Sequence, residues 1–310
     1  MSAIFGVVDF SGSPLDPTYL QSMSAALARH GTAGGFWCDG GAGMGHRYRP
    51  FTPQDVWERQ PLRSADSILT LVSDARLDNR AQLLEPADTQ TADSALLLNA
   101  YAKWGTDCVH HLTGVFAFAV WDVRIRSLFV ARSPIVAPSL VYTADPHRFA
   151  FATMPSGLHA LPHVPRALDE VGLVRWLSGL GGTPATTLYK NVLSLPSGHW
   201  LLAGLDGVKT VCYWRPDLSR ELRFAHDDDY LSGFHELFVR VVGDHLRGIT
   251  PVAIQLSGGL DSSSVAAVAA PLLAARREHL TAFTEIPRAG FATALSSHSY
   301  ADETPFVEAI

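Results

Sequence analysis

The 310-residue sequence is poor in cysteine and has no long apolar run. Its three cysteines, Cys38, Cys108 and Cys212, are widely spaced and form no Cys-x-x-Cys pair, which excludes a disulfide framework and a structural zinc site. No apolar segment reaches the ~18 residues of a membrane span, and the first residues lack the basic flank and long apolar core of a signal peptide. We therefore expect a soluble protein of a reducing compartment, the cytoplasm, with no membrane partner.

Basic residues are also in the minority. Lysine and arginine total 24 against 30 aspartates and glutamates, and the net charge of −6 argues against a protein that binds nucleic acid through its phosphates. A hydrophobic fraction of 47% with 17% charged residues is typical of a globular protein. The length corresponds to about two domains. The 13 histidines lack the spacing of metal ligands, so we expect no dedicated histidine metal site.

Short apolar runs separated by turn-forming residues characterise residues 1–164. The sequence predicts strands over residues 4–10, 67–73, 114–122 and 127–132, and helices over residues 19–29 and 91–104. This mixture predicts an α+β sandwich, in which stacked strands are flanked by helices. Residues 165–226 are rich in proline and glycine, and this composition predicts a connector rather than a second core.

Residues 227–310 follow a different order and predict the start of a parallel α/β sheet. Three acidic residues at 227–229 are typical of a helix N-terminus, where carboxylates offset the helix dipole. The following helix, over residues 230–246, carries several apolar side chains roughly on one side: Leu231, Phe234, Leu237, Val241 and Leu246. A strand over 251–256, a glycine loop, a helix from Asp261 and a strand over 280–284 come next.

The glycine loop is the strongest chemical signal in the sequence. Two glycines, Gly258 and Gly259, allow the backbone to turn tightly and to approach a ligand closely. The helix that follows directs free N–H groups and a positive dipole end toward an anion. Ser257 and Ser262 add hydroxyl donors, and Asp261 is a candidate ligand for a magnesium ion that bridges phosphates. The loop lacks the Gly-Lys-Ser/Thr ending of a Walker A motif, and the simpler alternative is a glycine turn that caps an ordinary helix.

The run from Ser257 to Ser262 resembles the pyrophosphate-binding loop of N-type ATP pyrophosphatases, and the whole chain resembles the asparagine synthetase family. Matching motifs occur in the family's order at residues 74–80, 114–122, 131–132, 195–199 and 301–304. The resemblance implies an Ntn-hydrolase-like class II amidotransferase domain over residues 1–164 and the start of an ATP pyrophosphatase domain over residues 227–310. It also implies ATP and Mg²⁺ as cofactors and carboxylate adenylation with release of pyrophosphate. The residues implied for ATP binding are Leu256, Ser257, Gly258, Gly259, Asp261 and Ser262, with Asp261 as the magnesium ligand.

The segment at residues 301–304 resembles a part of the family that lies near the substrate side of the ATP site. Asp302 and Glu303 are therefore candidates for substrate binding, and a helix N-cap at Asp302 ahead of Thr304 and Pro305 is the alternative. Similar loops occur in tRNA-thiolating enzymes, but the absence of Cys-x-x-Cys pairs and the charge of −6 argue against that class. The family's synthetase domain continues well past a position like Ile310, so we expect the second domain to be truncated in this sequence.

The amidotransferase half departs from the family at most of its functional positions. The N-terminal nucleophile, a cysteine in the family, is Ser2, and the arginine that binds the glutamine carboxylate is replaced by Tyr48. Residues 73–75, Ser-Asp-Ala, replace the Asn-Gly-Glu that forms the oxyanion hole. Only Asp93, aligned with the aspartate that binds the substrate amine, remains. Loss of an oxyanion donor alone costs ~10²–10³ in rate, so we expect no working glutaminase.

This pattern resembles the β-lactam synthetases and lasso-peptide cyclases of the family, in which the attacking amine comes from the substrate itself. The resemblance implies a small-molecule or peptide carboxylate as substrate, with a peptide precursor or a second copy of the chain as a partner. Two alternatives stay open. One is asparagine synthesis proper with glutamine or ammonia, and the other is a truncated, non-catalytic remnant or ATP-binding partner.

Overall fold

The computed structural model describes residues 2–84, 90–180, 183–286 and 303–310. These residues form two compact units, one of Met1–Pro50 with Gln54–Asp217 and one of Phe51–Pro53 with Leu218–Ile310. The strands, β1 to β14 in chain order, are Ala3–Asp9, Ala33–Asp39, Ala42–Tyr48, Leu62–Arg63, Leu69–Leu77, Gly114–Asp122, Ser127–Arg132, Val141–Ala144, Arg148–Ala152, Leu193–Ser194, His199–Gly204, Gly207–Cys212, Val252–Gln255 and Leu280–Phe283. The α-helices, α1 to α8, are Pro17–Ala26, Arg80–Leu83, Asp93–Trp104, Pro155–Leu158, Glu170–Leu177, Asp227–His245, Leu260–Ala274 and Thr304–Val307.

The first unit contains two six-stranded antiparallel sheets. Their strand orders are β10-β8-β9-β1-β3-β2 and β12-β11-β7-β6-β5-β4. One apolar cluster draws on both sheets and lies between them, with Ile4 and Val8 of β1 beside Val72 of β5 and Val130 of β7. The strands alternate their side chains between two faces, so the neighbouring residues of β1 belong to a different cluster.

Helices cover the outer faces of both sheets. Phe5 and Val7 of β1 share a buried cluster with Leu20 and Met23 of α1. On the other side, residues of α3 pack with Phe116 and Phe118 of β6. The unit is therefore a helix–sheet–sheet–helix sandwich, and strands with both faces buried explain the nearly continuous apolar runs in the sequence. The α+β sandwich is confirmed, and β6 and β7 have the predicted bounds.

The prediction of a connector over residues 165–226 is wrong for most of its length. Strand β10 extends the first sheet, and β11 and β12 extend the second, with Trp200 of β11 opposite Ala131 of β7. Leu195, Leu201 and Ala203 are fully buried in the cluster between the sheets. The first unit therefore continues to Asp217. The prolines and glycines that indicated a linker lie at turns around short strands, where they are common within domains as well.

The second unit contains a parallel strand pair, β13 and β14, connected through α7. This agrees with the predicted parallel α/β unit. Helix α6 begins at the acidic triplet as predicted, and Val242 and the C-cap residue Leu246, which belongs to the predicted apolar side, are buried with Ala269 and Leu273 of α7. The apolar side that the sequence indicated is largely exposed, with Leu231 at 69% and Phe234 at 68%. Helix α6 carries apolar residues on more than one face, so its periodicity alone does not select the buried one. No helix among the described residues is both long and apolar enough to cross a bilayer.

Candidate functional site

The glycine loop lies at the carboxyl end of the parallel strand pair. Strand β13 ends at Gln255 and α7 begins at Leu260, so the loop occupies residues 256–259. Its first residue, Leu256, is buried and tied to the end of β14, because its N–H donates to the Phe283 carbonyl at 2.8 Å and its carbonyl accepts from Thr284 Oγ1 at 3.0 Å. The carboxyl edge of a parallel sheet is the usual ligand-binding edge in α/β proteins.

The loop backbone has the conformation that glycine permits. Gly258 has φ of +72°, in the left-handed region where residues with a Cβ are strained. Gly259, the N-cap of α7, is extended and provides no side-chain cap. The first-turn N–H groups of a helix have no partner within the helix, so without a capping side chain they are available to an anion.

The loop hydroxyls bond to one another and to the backbone of the loop. Ser257 Oγ lies 3.2 Å from Ser262 Oγ, and Ser263 Oγ donates to the Gly259 carbonyl at 2.7 Å. Gly259 N–H donates weakly to Ser257 Oγ at 3.3 Å. These contacts hold the serines around the helix N-terminus. The long bonds at 3.2–3.3 Å are ones that a phosphate oxygen would readily replace.

Carboxylates flank the loop at two places. Asp261, in the first turn of α7, is exposed and forms no ion pair among the described residues, which leaves its oxygens free to bind a cation. Gln255 Nε2 donates to Glu285 Oε1 at 2.9 Å beside a cavity of ≈ 240 Å³ formed by residues 253–255 and 283–285. A group of three or more metal-ligating side chains is not found in the described part of the chain. Magnesium bound to phosphates needs only one or two protein carboxylates, so Asp261 fits such a site.

Of the two candidates for substrate binding, only Glu303 lies among the described residues. Glu303 is half-buried and is itself the N-cap residue of α8, without a side-chain capping bond. Asp302 lies outside the described residues.

In the first unit, Ser2 lies just before β1 and is 5% exposed. Its hydroxyl is engaged with the backbone of Arg49, accepting from the N–H at 3.1 Å and donating to the carbonyl at 3.3 Å. The Ser2 N–H also bonds to the carboxyl group of Asp74 on β5. The structure therefore brings together two residues that the sequence pointed to separately, one on each sheet.

Buried polar groups surround this Ser2–Asp74 contact. Burial raises the pKa of Asp74 to about 6, opposed by the hydrogen bond from Ser2, and the buried Oδ2 has no hydrogen-bond partner among the described residues. Burial lowers the pKa of His46 to about 4, and its Nε2 is likewise unpartnered among the described residues. The Tyr48 ring lies 5.4 Å from His46, and the Tyr48 hydroxyl donates to the Asp55 carbonyl.

Asp93 lies at the start of α3 and is 2% exposed. Its carboxylate accepts from the Leu77 N–H at 2.9 Å and forms an ion pair with the Arg80 guanidinium. Arg80 also donates to the Thr91 carbonyl at 2.5 Å, which fixes the guanidinium in place. The role of Arg80 was missed from the sequence, because nothing in the spacing of residues 80 and 93 indicates an ion pair.

Comparison with known proteins agrees with this division of the chain. A family model described as a glutamine amidotransferase domain matches residues 1–214, and a model described as asparagine synthase matches residues 233–310. A solved structure, titled as an allosteric regulatory enzyme of purine biosynthesis, aligns with a TM-score of 0.50 at 16% identity, covering 98% of this chain and 69% of that one. At this identity the likeness concerns the fold alone, and it supports the Ntn-hydrolase-type sandwich of the first unit.

Several individual proteins are similar to this chain, and asparagine synthetases are among them. Asparagine synthetase [glutamine-hydrolyzing] 3 of Bacillus subtilis (strain 168) is 36% identical over 183 residues, which are 58% of this chain and 29% of the relative. Asparagine synthetase [glutamine-hydrolyzing] 2 of the same organism is 28% identical over 252 residues, covering 75% and 32%. Amidase chyE of Penicillium rubens is 27% identical over 242 residues, covering 74% and 35%. The chain belongs to the asparagine synthetase family, and it spans about a third of the length of these relatives.

Proposed function

We propose that this chain is part of an ATP-dependent, amide-bond-forming ligase that releases AMP and pyrophosphate. The second unit binds ATP with Mg²⁺, a carboxylate substrate is adenylated, and an amine then forms the amide bond. The observation that carries the proposal is the uncapped N-terminus of α7, which follows the left-handed Gly258 at the carboxyl edge of parallel strands. That arrangement presents backbone N–H groups and a positive dipole end to a phosphate chain.

Each loop residue has a definite task in this proposal. The N–H groups of Gly259 and of the first turn of α7 bind the pyrophosphate oxygens as negative charge develops on them. Ser257 and Ser262 exchange their long mutual contact of 3.2 Å for bonds to the same oxygens. Asp261 holds the magnesium ion against the phosphates. Because Leu256 is anchored to β14 through two hydrogen bonds, the loop keeps its position when a ligand binds.

The first unit, in our proposal, does not hydrolyse glutamine. The Ser2 hydroxyl is occupied by the Arg49 backbone, and the anionic carboxyl group of Asp74 beside it would oppose an oxyanion rather than stabilise it. Asp93, which the family resemblance assigns to the substrate amine, is already neutralised by Arg80. The attacking amine therefore comes from the substrate or from free ammonia. The carboxylate belongs to a small molecule or a peptide precursor, as in β-lactam synthetases and lasso-peptide cyclases, and the protein works in the cytoplasm, alone or as a homo-oligomer.

Asparagine synthesis proper is the second candidate. It is favoured by the two Bacillus subtilis relatives, both of which are named glutamine-hydrolyzing asparagine synthetases. This candidate would be supported if the chain released glutamate from glutamine and lost this activity in Ser2→Ala. The same result would contradict our proposal that the first unit does not hydrolyse glutamine. We expect no glutamate release.

The test of the ATP site is calorimetric titration of the chain with MgATP. We expect Asp261→Ala to weaken binding by at least about tenfold, because the exposed carboxylate is the magnesium ligand. Asp228→Ala is the matched control, since Asp228 is also an exposed carboxylate in the first turn of a helix of the same unit. Equal affinity of the Asp261→Ala and Asp228→Ala variants would overturn the assignment of Asp261.

A further inference from the structure

The short helix α8 packs directly on the apex of the glycine loop. A Cβ built on Gly258 would lie 2.4 Å from Phe306 Cβ, 3.1 Å from the Phe306 carbonyl carbon and 3.3 Å from its Cα. Real Cβ atoms do not approach other heavy atoms below 3.0 Å, so nothing larger than glycine fits between the loop and this helix. The loop therefore needs glycine at residue 258 for two independent reasons, its positive φ and its contact with α8.

The contacting part of α8 is its main chain and Cβ, and its own hydrogen bonds hold that part in place. The N–H groups of Phe306 and Val307 donate to the Glu303 carbonyl at 3.0 and 3.2 Å. The Glu308 N–H donates to the Thr304 carbonyl at 2.9 Å, and Pro305 lies in the first turn, where its fixed φ suits a helix. Phe306 therefore meets Gly258 as part of a hydrogen-bonded turn rather than as a loose side chain.

We propose that α8 is a positioning element of the phosphate loop, with Phe306 as the positioning residue that sets the orientation of the Gly258 peptide. This inference rests on the proposed binding of phosphates by the loop. The Gly258 peptide precedes the helix N-terminus directly, so a rotation there moves the N–H of Gly259 out of line with a bound oxygen. Coupling of this kind is reciprocal: a ligand on the loop must also stabilise α8.

A double-mutant cycle tests the contact with pyrophosphate as the probe. We expect Gly258→Ala to weaken pyrophosphate binding by about a hundredfold, because it combines a strained φ with the collision at Phe306. In the Phe306→Gly background the nearest colliding atom is gone, so Gly258→Ala should weaken binding by only about tenfold. Gly207→Ala, at a glycine of the first unit with φ of +100° and no atom within 4 Å of the added Cβ, controls for glycine replacement in general and should leave affinity unchanged.

Amide hydrogen exchange of the unsubstituted chain gives a second readout. Bound pyrophosphate should slow exchange at Phe306, Val307 and Glu308, whose N–H groups form the α8 turn. Additive effects in the cycle, or unchanged exchange at α8 with pyrophosphate bound, would overturn the inference while the loop still binds phosphate. Absence of any pyrophosphate binding by the unsubstituted chain would overturn both this inference and the proposed function.

Discussion

The two units differ in whether their candidate polar groups are already bonded to the rest of the chain. In the first unit Ser2 and Asp93 are buried and already bonded to the chain itself, Ser2 to the backbone of Arg49 and Asp93 to Arg80. In the second unit residues 257–259 of the loop are not buried, the N-terminus of α7 has no side-chain cap, and Asp261 is exposed without an ion pair among the described residues. Groups that already bond to the chain must break those bonds to bind a ligand, whereas donors without a partner can bind one directly. This difference agrees with our proposal that the second unit is the one that binds ATP.

The two units also differ in how many apolar side chains they bury. Three large buried clusters fill the first unit, and the described part of the second has one small cluster around Val242 and Leu273. Apolar side chains such as Leu231 and Phe283 remain exposed there, at 69% and 63%. The first unit should therefore dominate the unfolding free energy, and substitutions in its core should cost more than substitutions on the surface of the second unit.

Truncation of a core aromatic should give the largest effect. Phe118 is fully buried between Phe116 and Phe129, with ring centroids 5.8 Å from each. Phe118→Ala should lower the unfolding free energy by about 4 kcal/mol, whereas Phe234→Ala on α6, at 68% exposure, should cost less than about 1 kcal/mol. Urea denaturation followed by circular dichroism measures both, and similar costs would show that α6 is packed as tightly as the sandwich.

Loss of the buried ion pair between Arg80 and Asp93 should have the second-largest effect on stability. Arg80→Ala leaves the Asp93 carboxylate buried without its cation, which should cost about 3 kcal/mol. Arg223→Ala removes a surface pair with Glu221 whose side chains are 81% and 66% exposed, and it should cost less than about 0.5 kcal/mol. Adding Asp93→Asn to Arg80→Ala should recover part of the loss. If it recovers nothing, the charge of Asp93 is not what Arg80 balances.

Replacement of Asp74 should give a smaller, pH-dependent effect. Burial raises the pKa of Asp74 from 3.8 to about 6, so the folded state binds a proton more tightly than the unfolded state. The stability that this proton provides is complete below about pH 4 and is lost as the pH rises through about 6. Asp74→Asn, which keeps an acceptor for the Ser2 N–H, should therefore be more stable than the parent by about 2 kcal/mol at pH 7.5 and nearly equal to it at pH 4. A difference independent of pH would contradict the raised pKa of the buried Asp74 carboxyl group.

Sequence reasoning succeeded where local patterns are decisive. The strands at Gly114–Asp122 and Ser127–Arg132 were located correctly, because apolar runs bounded by turn residues leave few alternatives. The glycine loop was placed between a strand and a helix for the same reason. The loop's chemical assignment to ATP and magnesium stays a prediction.

Sequence reasoning failed where the position of an element depends on its pairing with another segment of the chain. The strands β10 to β12 look like linker because each is short and flanked by proline or glycine, and only their pairing with β7 and β8 identifies them as part of the sandwich. The ion pair of Arg80 with Asp93 depends on how α2 is placed against α3.

Residues that are close in the chain were enough to locate strands β6 and β7 and to place the glycine loop between a strand and a helix, and the sequence shows directly that residue 2 is a serine. Only the tertiary structure decided that Ser2 faces Asp74 across two sheets, that Asp93 is neutralised by Arg80, and that α8 lies on Gly258. Each of these contacts joins residues of two different elements or segments of the chain. The energies of the Ser2–Asp74 and Arg80–Asp93 contacts depend on burial and on charge in a low-dielectric interior, which local composition does not reveal.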